Sequence, residues 1–415
     1  MSAFTCSVSP ARRPADGLAD GVSPGALVER IRRQPGTTRA DIVRATGVAR
    51  STVSQRVDEL LASGLVEEGD EAPSTGGRRA VTLRLRAEAG LVLAADIGVT
   101  HCRAVVADLN GAVLHESRRD ITIADGPERV LGRLLADFEA GIAEVDRPGS
   151  RVWGVGIGVP GPVEFSTGRP VSPPIMPGWN EVSIPDLVRR HLDAPVFVDN
   201  DVNIMALGEY AAHWADEVDD LLFVKVSTGI GAGIIAGRVL QRGAAGTAGD
   251  LGHVPVTVAA DVRCRCGNDG CIEAVAGGGA LAERMRAAGR DVTGVGGVVE
   301  LTRTGDPAAV ALVREAGREI GEVVATVVNI LNPAVLVLGG ALADAGDELY
   351  AGVREVVYRR STPLATRRLR IERSRLGERA GVLGAVEMAL TQTLDEASVN
   401  DHVHRRLTRS SAAVS

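Results

Sequence analysis

The sequence predicts two unlike parts, an N-terminal winged helix of the α+β class and a larger α/β body built as two lobes. Three observations carry this. A helix–glycine–helix pattern followed by an alternating hairpin fills residues 23–88. Two strand–glycine turn–strand units recur about 130 residues apart beyond it. Three cysteines close together, with a histidine upstream, mark a loop in the second lobe.

In the head, Ala26, Leu27, Ile31, Ile42 and Val43 fall near helical spacing around the turn Gln34-Pro35-Gly36-Thr37. Thr38-Arg39-Ala40-Asp41 can cap a short helix over 40–46, and Gly47 ends it. A third helix is predicted from about Ser51 to Ser63, burying Val53, Val57, Leu60 and Leu61 on one stripe. Helix, tight turn, helix is the arrangement whose second helix enters a major groove. Candidate DNA contacts are Arg50, Ser51, Thr52, Gln55 and Arg56; Arg and Gln are the side chains that read guanine and adenine edges. Leu65–Glu68 and Val81–Arg86 form the hairpin of the wing. Its tip offers glycines beside Arg78 and Arg79, suited to phosphates or a minor groove.

Composition bounds the rest. With 415 residues, 45% apolar and 24% charged, the chain is neither disordered nor too small for a core. Five cysteines are too few for a disulfide scaffold. Residues 1–22 read as a disordered tail with no charged-then-apolar leader, and 396–415 as a flexible C-terminal tail. The one apolar stretch of membrane length, Val323–Ala343, is interrupted by Asn329, Asn332-Pro333 and Gly339-Gly340, so a cytoplasmic protein without a membrane partner is expected. Net charge is −7 but unevenly held. Residues 1–90 carry 13 Arg against 11 acids, giving +2, whereas 91–415 carry 33 basic against 42 acidic residues, giving −9. A mildly basic head on an acidic body fits a DNA-binding module attached to a domain with other business. Of the 46 basic residues 45 are Arg, a bias that reads as base composition.

The body spans 89–395. Its first strand, Leu91–Ala95, ends in Asp96-Ile97-Gly98-Val99-Thr100, and a second strand runs Cys102–Asp108 before the turn Asn110-Gly111. Leu221–Val226 leads in the same way into Ser227-Thr228-Gly229-Ile230-Gly231 and a return strand. Tight glycine turns in both lobes let backbone N–H groups approach a polyphosphate, making Asp96, Gly98, Thr100, Thr228, Gly229 and Gly231 the candidate nucleotide-phosphate residues. An Asp at the end of the first strand can hold the Mg²⁺ of a nucleotide. The strand Pro195–Val198 ends in Asp199-Asn200-Asp201, where ligands of open α/β sheets bind. Asn200 and Asp201 can pair with neighbouring hydroxyls and Asp201 can take a proton from one, although the same residues also suit a helix cap. His253, Cys264, Cys266 and Cys271 form a Cys₃His set for tetrahedral zinc within the loop at about 249–273. With four protein ligands no open position remains, so the ion is structural.

With these motifs the chain resembles the ROK family (repressors, open reading frames and sugar kinases) from about Ser23 to Leu390, in the branch that joins a winged helix to the kinase-like body. The matching residues are Asp96-x-Gly98-x-Thr100, Gly158-x-Pro160-Gly161-Pro162, Pro177-Gly178-Trp179 and Asn200-Asp201-x-Asn203. They continue through Thr228-Gly229-x-Gly231-x-Gly233, Gly249-Asp250-x-Gly252-His253, Cys264-x-Cys266-Gly267-x-x-Gly270-Cys271-x-Glu273 and Leu331-Asn332-Pro333. The resemblance implies an actin/RNase H-like ROK sugar-kinase fold, a sugar cleft, the zinc site, and a homodimer or homotetramer. It implies Asp201 as the base that activates a sugar hydroxyl toward ATP, with Asn200, Asp250, Glu273 and the zinc ligand His253 around the sugar.

Departures from the kinase pattern bear on function. Val99 and His101 stand where the first phosphate loop of ROK kinases has Gly and Lys, Ile175 where an Asn meets the sugar, and Asp250 where Glu is common. A β-branched Val obstructs backbone approach and a neutral His is a poorer phosphate partner than Lys. The expectation is a sugar-responsive DNA-binding repressor of carbohydrate genes, with operator DNA and a sugar or sugar derivative as partners and a degenerate kinase body that has lost its enzymatic role. The rival is an active glucokinase-like enzyme carrying a DNA-binding domain; ATP and Mg²⁺ would be its cofactors, and Asp201 would keep its role.

Overall fold

The computed structural model describes residues 22–34, 36–71, 80–147 and 149–412 and falls into two compact units. The first comprises residues up to Arg86 together with those from Leu394 onward; the second is Ala87–Thr393.

In the first unit, helix α1 (Pro24–Arg33) is capped by Ser23, whose side chain accepts from the Ala26 N–H. α2 (Arg39–Thr46) opens with the expected box, Thr38 accepting from the Asp41 N–H while Asp41 accepts from that of Thr38. Gly47, at φ 70°, supplies the left-handed residue that turns the chain into α3 (Arg50–Ser63). Val53, Val57 and Leu60 of α3 are buried as predicted. Leu61 is only half-buried, and Ser63 takes the fourth inward place by bonding the Leu60 carbonyl. β1 (Val66–Glu71) and β2 (Val81–Leu85) pair antiparallel as the wing, and Thr38 adds a bridge to Thr82. Arg78 and Arg79, and residues 1–21 of the expected tail, lie outside the described residues; Val22 is buried.

The C-terminal segment departs from expectation. Residues 396–412 are a helix, not a flexible tail, and they complete the head by packing on α1 and α3. Val399, His402 and Val403 are buried at helical spacing, and the Gly25 N–H donates to Asn400 Oδ1 at 3.0 Å. So thin an apolar stripe among charged residues carries little periodic signal on its own.

The second unit is duplicated. Its first lobe has β3 (Leu91–Ile97), β4 (His101–Asp108), β5 (Val113–Asp120), helix α4 (Pro127–Val145), β6 (Val152–Val159), the small hairpin β7 (Val163–Glu164) and β8 (Arg169–Pro170), α5 (Ile184–Arg189) and β9 (Val196–Asn200). The sheet order is β5-β4-β3-β6-β9, antiparallel across β3 to β5 and parallel across β3, β6 and β9. After α6 (Asp201–His213) the second lobe repeats the plan with β10 (Leu221–Val226), β11 (Ile230–Ala236), β12 (Val239–Gln241), β13 (Val335–Gly339) and β14 (Arg370–Arg373), in the order β12-β11-β10-β13-β14. Between β12 and β13 lie α7 (Glu273–Ala276), α8 (Gly278–Ala287), α9 (Gly294–Arg303) and α10 (Pro307–Leu331); α11 (Glu348–Arg360), α12 (Pro363–Thr366) and α13 (Ala380–Thr393) follow. The apolar run 323–343 resolves as expected into the end of α10, a left-handed Asn332, and β13. Among the described residues no helix is long and apolar enough to cross a membrane.

Each lobe has its own apolar core, one around β3, β6 and α4, the other around β10, β13 and α10. α6 and α13 cross almost backbone to backbone. A Cβ on Gly384 would stand 1.7 Å from the Ile204 carbonyl oxygen, so only glycine permits the crossing.

Candidate functional site

The parallel strands β6, β9 and β13 and the two glycine turns end at one cleft of about 420 Å³ within the second unit. All the residues expected to hold sugar or nucleotide phosphate line it: Asp96, Gly98, Thr100, Asn200, Asp201, Thr228, Gly229, Gly231, Asp250, His253 and Glu273. So do Val99, His101 and Ile175.

Asn200 and Asp201 sit where β9 turns into α6. Asn200 is the helix cap, Oδ1 accepting from the Val202 N–H at 2.8 Å while Nδ2 donates to the Gly161 carbonyl at 2.9 Å. The capping role weighed for this segment therefore falls on Asn200, and Asp201 is left to face the cleft. Beneath them the buried Asp199 accepts from Arg242 Nε at 2.6 Å and Asn203 Nδ2 at 2.8 Å, which fixes the strand end. Glu273 Oε2 accepts from the Ile230 N–H at 2.9 Å, and it lies so close to Gly229 that a Cβ there would be 2.4 Å away.

Sequence reasoning passed over Lys225, the single lysine of the chain. It stands near the end of β10, and its ammonium donates to Asp201 Oδ2. Burial works against that charge, but the carboxylates of Asp201, Asp96 and Glu273 outweigh it and raise its pKa. Asp96 is pushed up to about 7, first by burial and then by the Asp201 carboxylate, against the counter-pull of Lys225. Burial, with Arg118 and Lys225, lowers the pKa of His101 and disfavours its charged form. That imidazole lies over Gly98, its Cε1 2.8 Å from where a Cβ would be.

Beside the cleft, the ligand atoms of His253, Cys264, Cys266 and Cys271 all lie within 4.8 Å of one another. Cys266 and Cys271 Sγ are 3.7 Å apart, and Cys264 Sγ is 3.6 Å from His253 Nδ1. A tetrahedral ion with metal–sulfur bonds of about 2.3 Å and a metal–nitrogen bond of about 2.0 Å has edges of about 3.8 and 3.5 Å, so the donor set fits zinc. With Nδ1 turned to the sulfurs, Nε2 points the other way, 3.9 Å from Asp250 Oδ1 at the cleft.

In the head, Arg50 and Ser51 are exposed at the start of α3, as the reading end of a recognition helix requires. Gln55 is exposed and Thr52 and Arg56 half-exposed; Gln55 Nε2 and Arg56 Nη1 both reach Glu59, at 3.2 and 2.9 Å.

A winged helix joined to a two-lobed kinase-type body with a polar cleft defines a class of regulator built on a sugar-kinase fold. Residues 92–392 match the model of the ROK family, and 24–80 match that of the MarR family. The chain belongs to the ROK family. It is similar to a putative xylose repressor of Caldicellulosiruptor sp. (strain Rt8B.4), 33% identical over 371 residues, covering 86% of this chain and 92% of that protein. Among solved structures it resembles a ROK family transcriptional regulator described as a homologue of the E. coli MLC protein, with TM-score 0.79 and 25% identity over 92% of this chain and 98% of that one. A ROK family glucokinase from Streptomyces griseus, in complex with glucose and AMPPNP, aligns with 72% of this chain and 99% of its own, at TM-score 0.61 and 30% identity.

Proposed function

We propose that this chain is a sugar-responsive transcriptional repressor that binds operator DNA through α3 and the wing and a sugar in the cleft of its ROK body. The observation that carries this is the winged helix joined, in one chain, to a kinase-type cleft lined by Asp201, Asp250, His253 and Glu273, with Val99 and His101 at its first glycine turn. Similarity to xylose and N-acetylglucosamine repressors over most of the chain supports the same reading.

In this reading Arg50, Ser51, Thr52, Gln55 and Arg56 face the major groove and Arg78 and Arg79 the backbone beyond the wing. Asp201, Asp250, Glu273 and His253 Nε2 meet sugar hydroxyls, Asn200 holding the loop. His253, Cys264, Cys266 and Cys271 hold a structural zinc; the ion ties the sugar-facing imidazole to the rest of its loop. The protein acts as a homodimer or homotetramer, and closure of the lobes over sugar changes the spacing of two heads. Half-sites one turn apart are about 34 Å from centre to centre, so modest re-spacing weakens binding. A strong shift in occupancy needs a sugar that favours one state by several kcal/mol.

The test is operator affinity at fixed salt with and without sugars; an unchanged Kd across a pentose, hexose and amino-sugar panel removes the sensor. One observation favours a second reading, the retention of Asp201 in a body similar to a glucokinase. Coupled ADP release separates the two, with Asp201→Asn as the blank: sugar-dependent turnover lost in that variant would make the protein a kinase. Val99 within the phosphate loop and His101, whose charged form burial disfavours, favour no turnover, since losing one charge-stabilising contact costs about 10²–10³ in rate.

A further inference from the structure

Lys225 has no part in the roles assigned so far. It pairs in register with Gly339 of the parallel neighbour β13 and with Gly231 of β11. In the first lobe Asp96 pairs with Gly158 of the parallel neighbour β6 and with Arg103 of β4. Each is the last residue of its strand to meet the parallel neighbour, so the two repeats present an ammonium and a carboxyl at equivalent points of one cleft. The ammonium is already bonded to Asp201.

The charges around it are unequal. Asp96, Asp201, Asp250, Glu273, Asp344 and Glu378 line the cleft, against Lys225, Arg118 and Arg265. Both arginines are exposed at the rim, while Lys225 keeps only 23% of its side chain accessible. Of the cleft's cations, only this one is both withdrawn from solvent and within reach of the candidate sugar residues. A compact ammonium on a flexible stem suits this narrow place better than a planar guanidinium.

We infer that Lys225 is the internal counter-ion of the cleft, holding Asp201 as a hydrogen-bond acceptor for hydroxyls, and that the ligand is therefore an uncharged sugar and not a sugar phosphate. The inference rests on the sugar-binding reading above. A carboxylate paired with an ammonium is a weak base but a good acceptor. An ammonium engaged in that pair is not available to a phosphate, whose dianion would meet the surrounding carboxylates with only the exposed Arg118 and Arg265 to offset them.

The experiment is calorimetric titration of the zinc-loaded full-length protein, in Mg²⁺-free buffer, with xylose, glucose and N-acetylglucosamine and with the 6-phosphates of the two hexoses. At least one uncharged sugar is expected to bind, with the phosphate esters at least tenfold weaker. Asp201→Asn sets the ammonium free, so the ratio of ester to sugar affinity rises at least tenfold, and the added Lys225→Met change abolishes that gain. A purely structural pair would lower the melting temperature without moving the ratio. An ester that binds the unaltered protein as tightly as its parent sugar, or a ratio unmoved by Asp201→Asn, overturns the inference and leaves the sensor standing. Binding of neither class overturns both. Should the variants fail to fold, the comparison on the unaltered protein decides alone.

Discussion

The two lobes share five strands in the same order, yet they bring opposite chemistry to the cleft. The first carries Asp96 one residue before the end of its leading strand and sets Val99 and His101 at the following turn; the second carries Lys225 one residue before the end of its own and follows it with Ser227-Thr228-Gly229. The second also carries the Cys₃His loop, for which the first has no counterpart among the described residues. Duplication thus supplied a scaffold, and the side chains at equivalent positions diverged until one lobe offers a proton-sharing carboxyl and the other a fixed positive charge. What the fold shows is where ligands meet the protein; those few divergent positions decide what meets it.

The asymmetry can be broken most severely at the metal loop. Cys266→Ser is expected to abolish stoichiometric zinc and lower the melting temperature by about 10 °C or more, since a structural zinc contributes binding free energy directly to folding. Metal analysis alongside a thermal melt checks this, and an unshifted melt would refute the zinc role. Next in size is the pair between the lobes' charges. Asp201→Asn leaves a largely buried ammonium without its partner and should cost about 3 kcal/mol in denaturant unfolding.

Asp96 gives a smaller effect with a definite sign. Its folded pKa of about 7 exceeds the ordinary carboxylate value of 3.8, so the native state holds a proton that the unfolded chain has released. The stability this group contributes is complete below about pH 4 and is lost as pH rises toward 7. Asp96→Asn should therefore raise the melting temperature by a few degrees relative to the parent at pH 8 and change it little at pH 4. A gain confined to the acid side would contradict the burial argument. Smallest is the head, which serves as a control: Arg56→Ala breaks a half-exposed pair with Glu59 and should alter stability by less than about 1 kcal/mol, while weakening operator binding about tenfold if Arg56 reaches the groove.

Legibility in the sequence followed how local each signal was. The capping box at Thr38, the left-handed Gly47 and three of the four stripe positions of α3 are written within a few residues and are found as read; the four candidate metal ligands are equally local, and the structure brings their ligand atoms within 4.8 Å of one another. The duplicated sheet was visible because both repeats place glycines after an apolar strand. Lys225 was not visible. A lone lysine in an arginine-rich chain reads as composition, and its partner Asp201 lies 24 positions away on another element. Asn200 read as a sugar ligand first and a cap second, and only the Val202 N–H and the Gly161 carbonyl reveal the cap. The terminal helix failed for the opposite reason, because its three inward residues acquire meaning only against α1 and α3.

That helix also sets the order in which the molecule can become competent. The head's first helix, α1, starts at Pro24 but its last comes from residues 396–412, so a ribosome makes the whole body between the two parts of the DNA-binding unit. At about 5–20 residues per second, some 15–60 s separate them. A chain that ends between Thr393 and the terminal helix thus holds every residue that lines the cleft but a head without its last helix. The helix that closes the core of the DNA-binding unit is therefore added only after the body has been made.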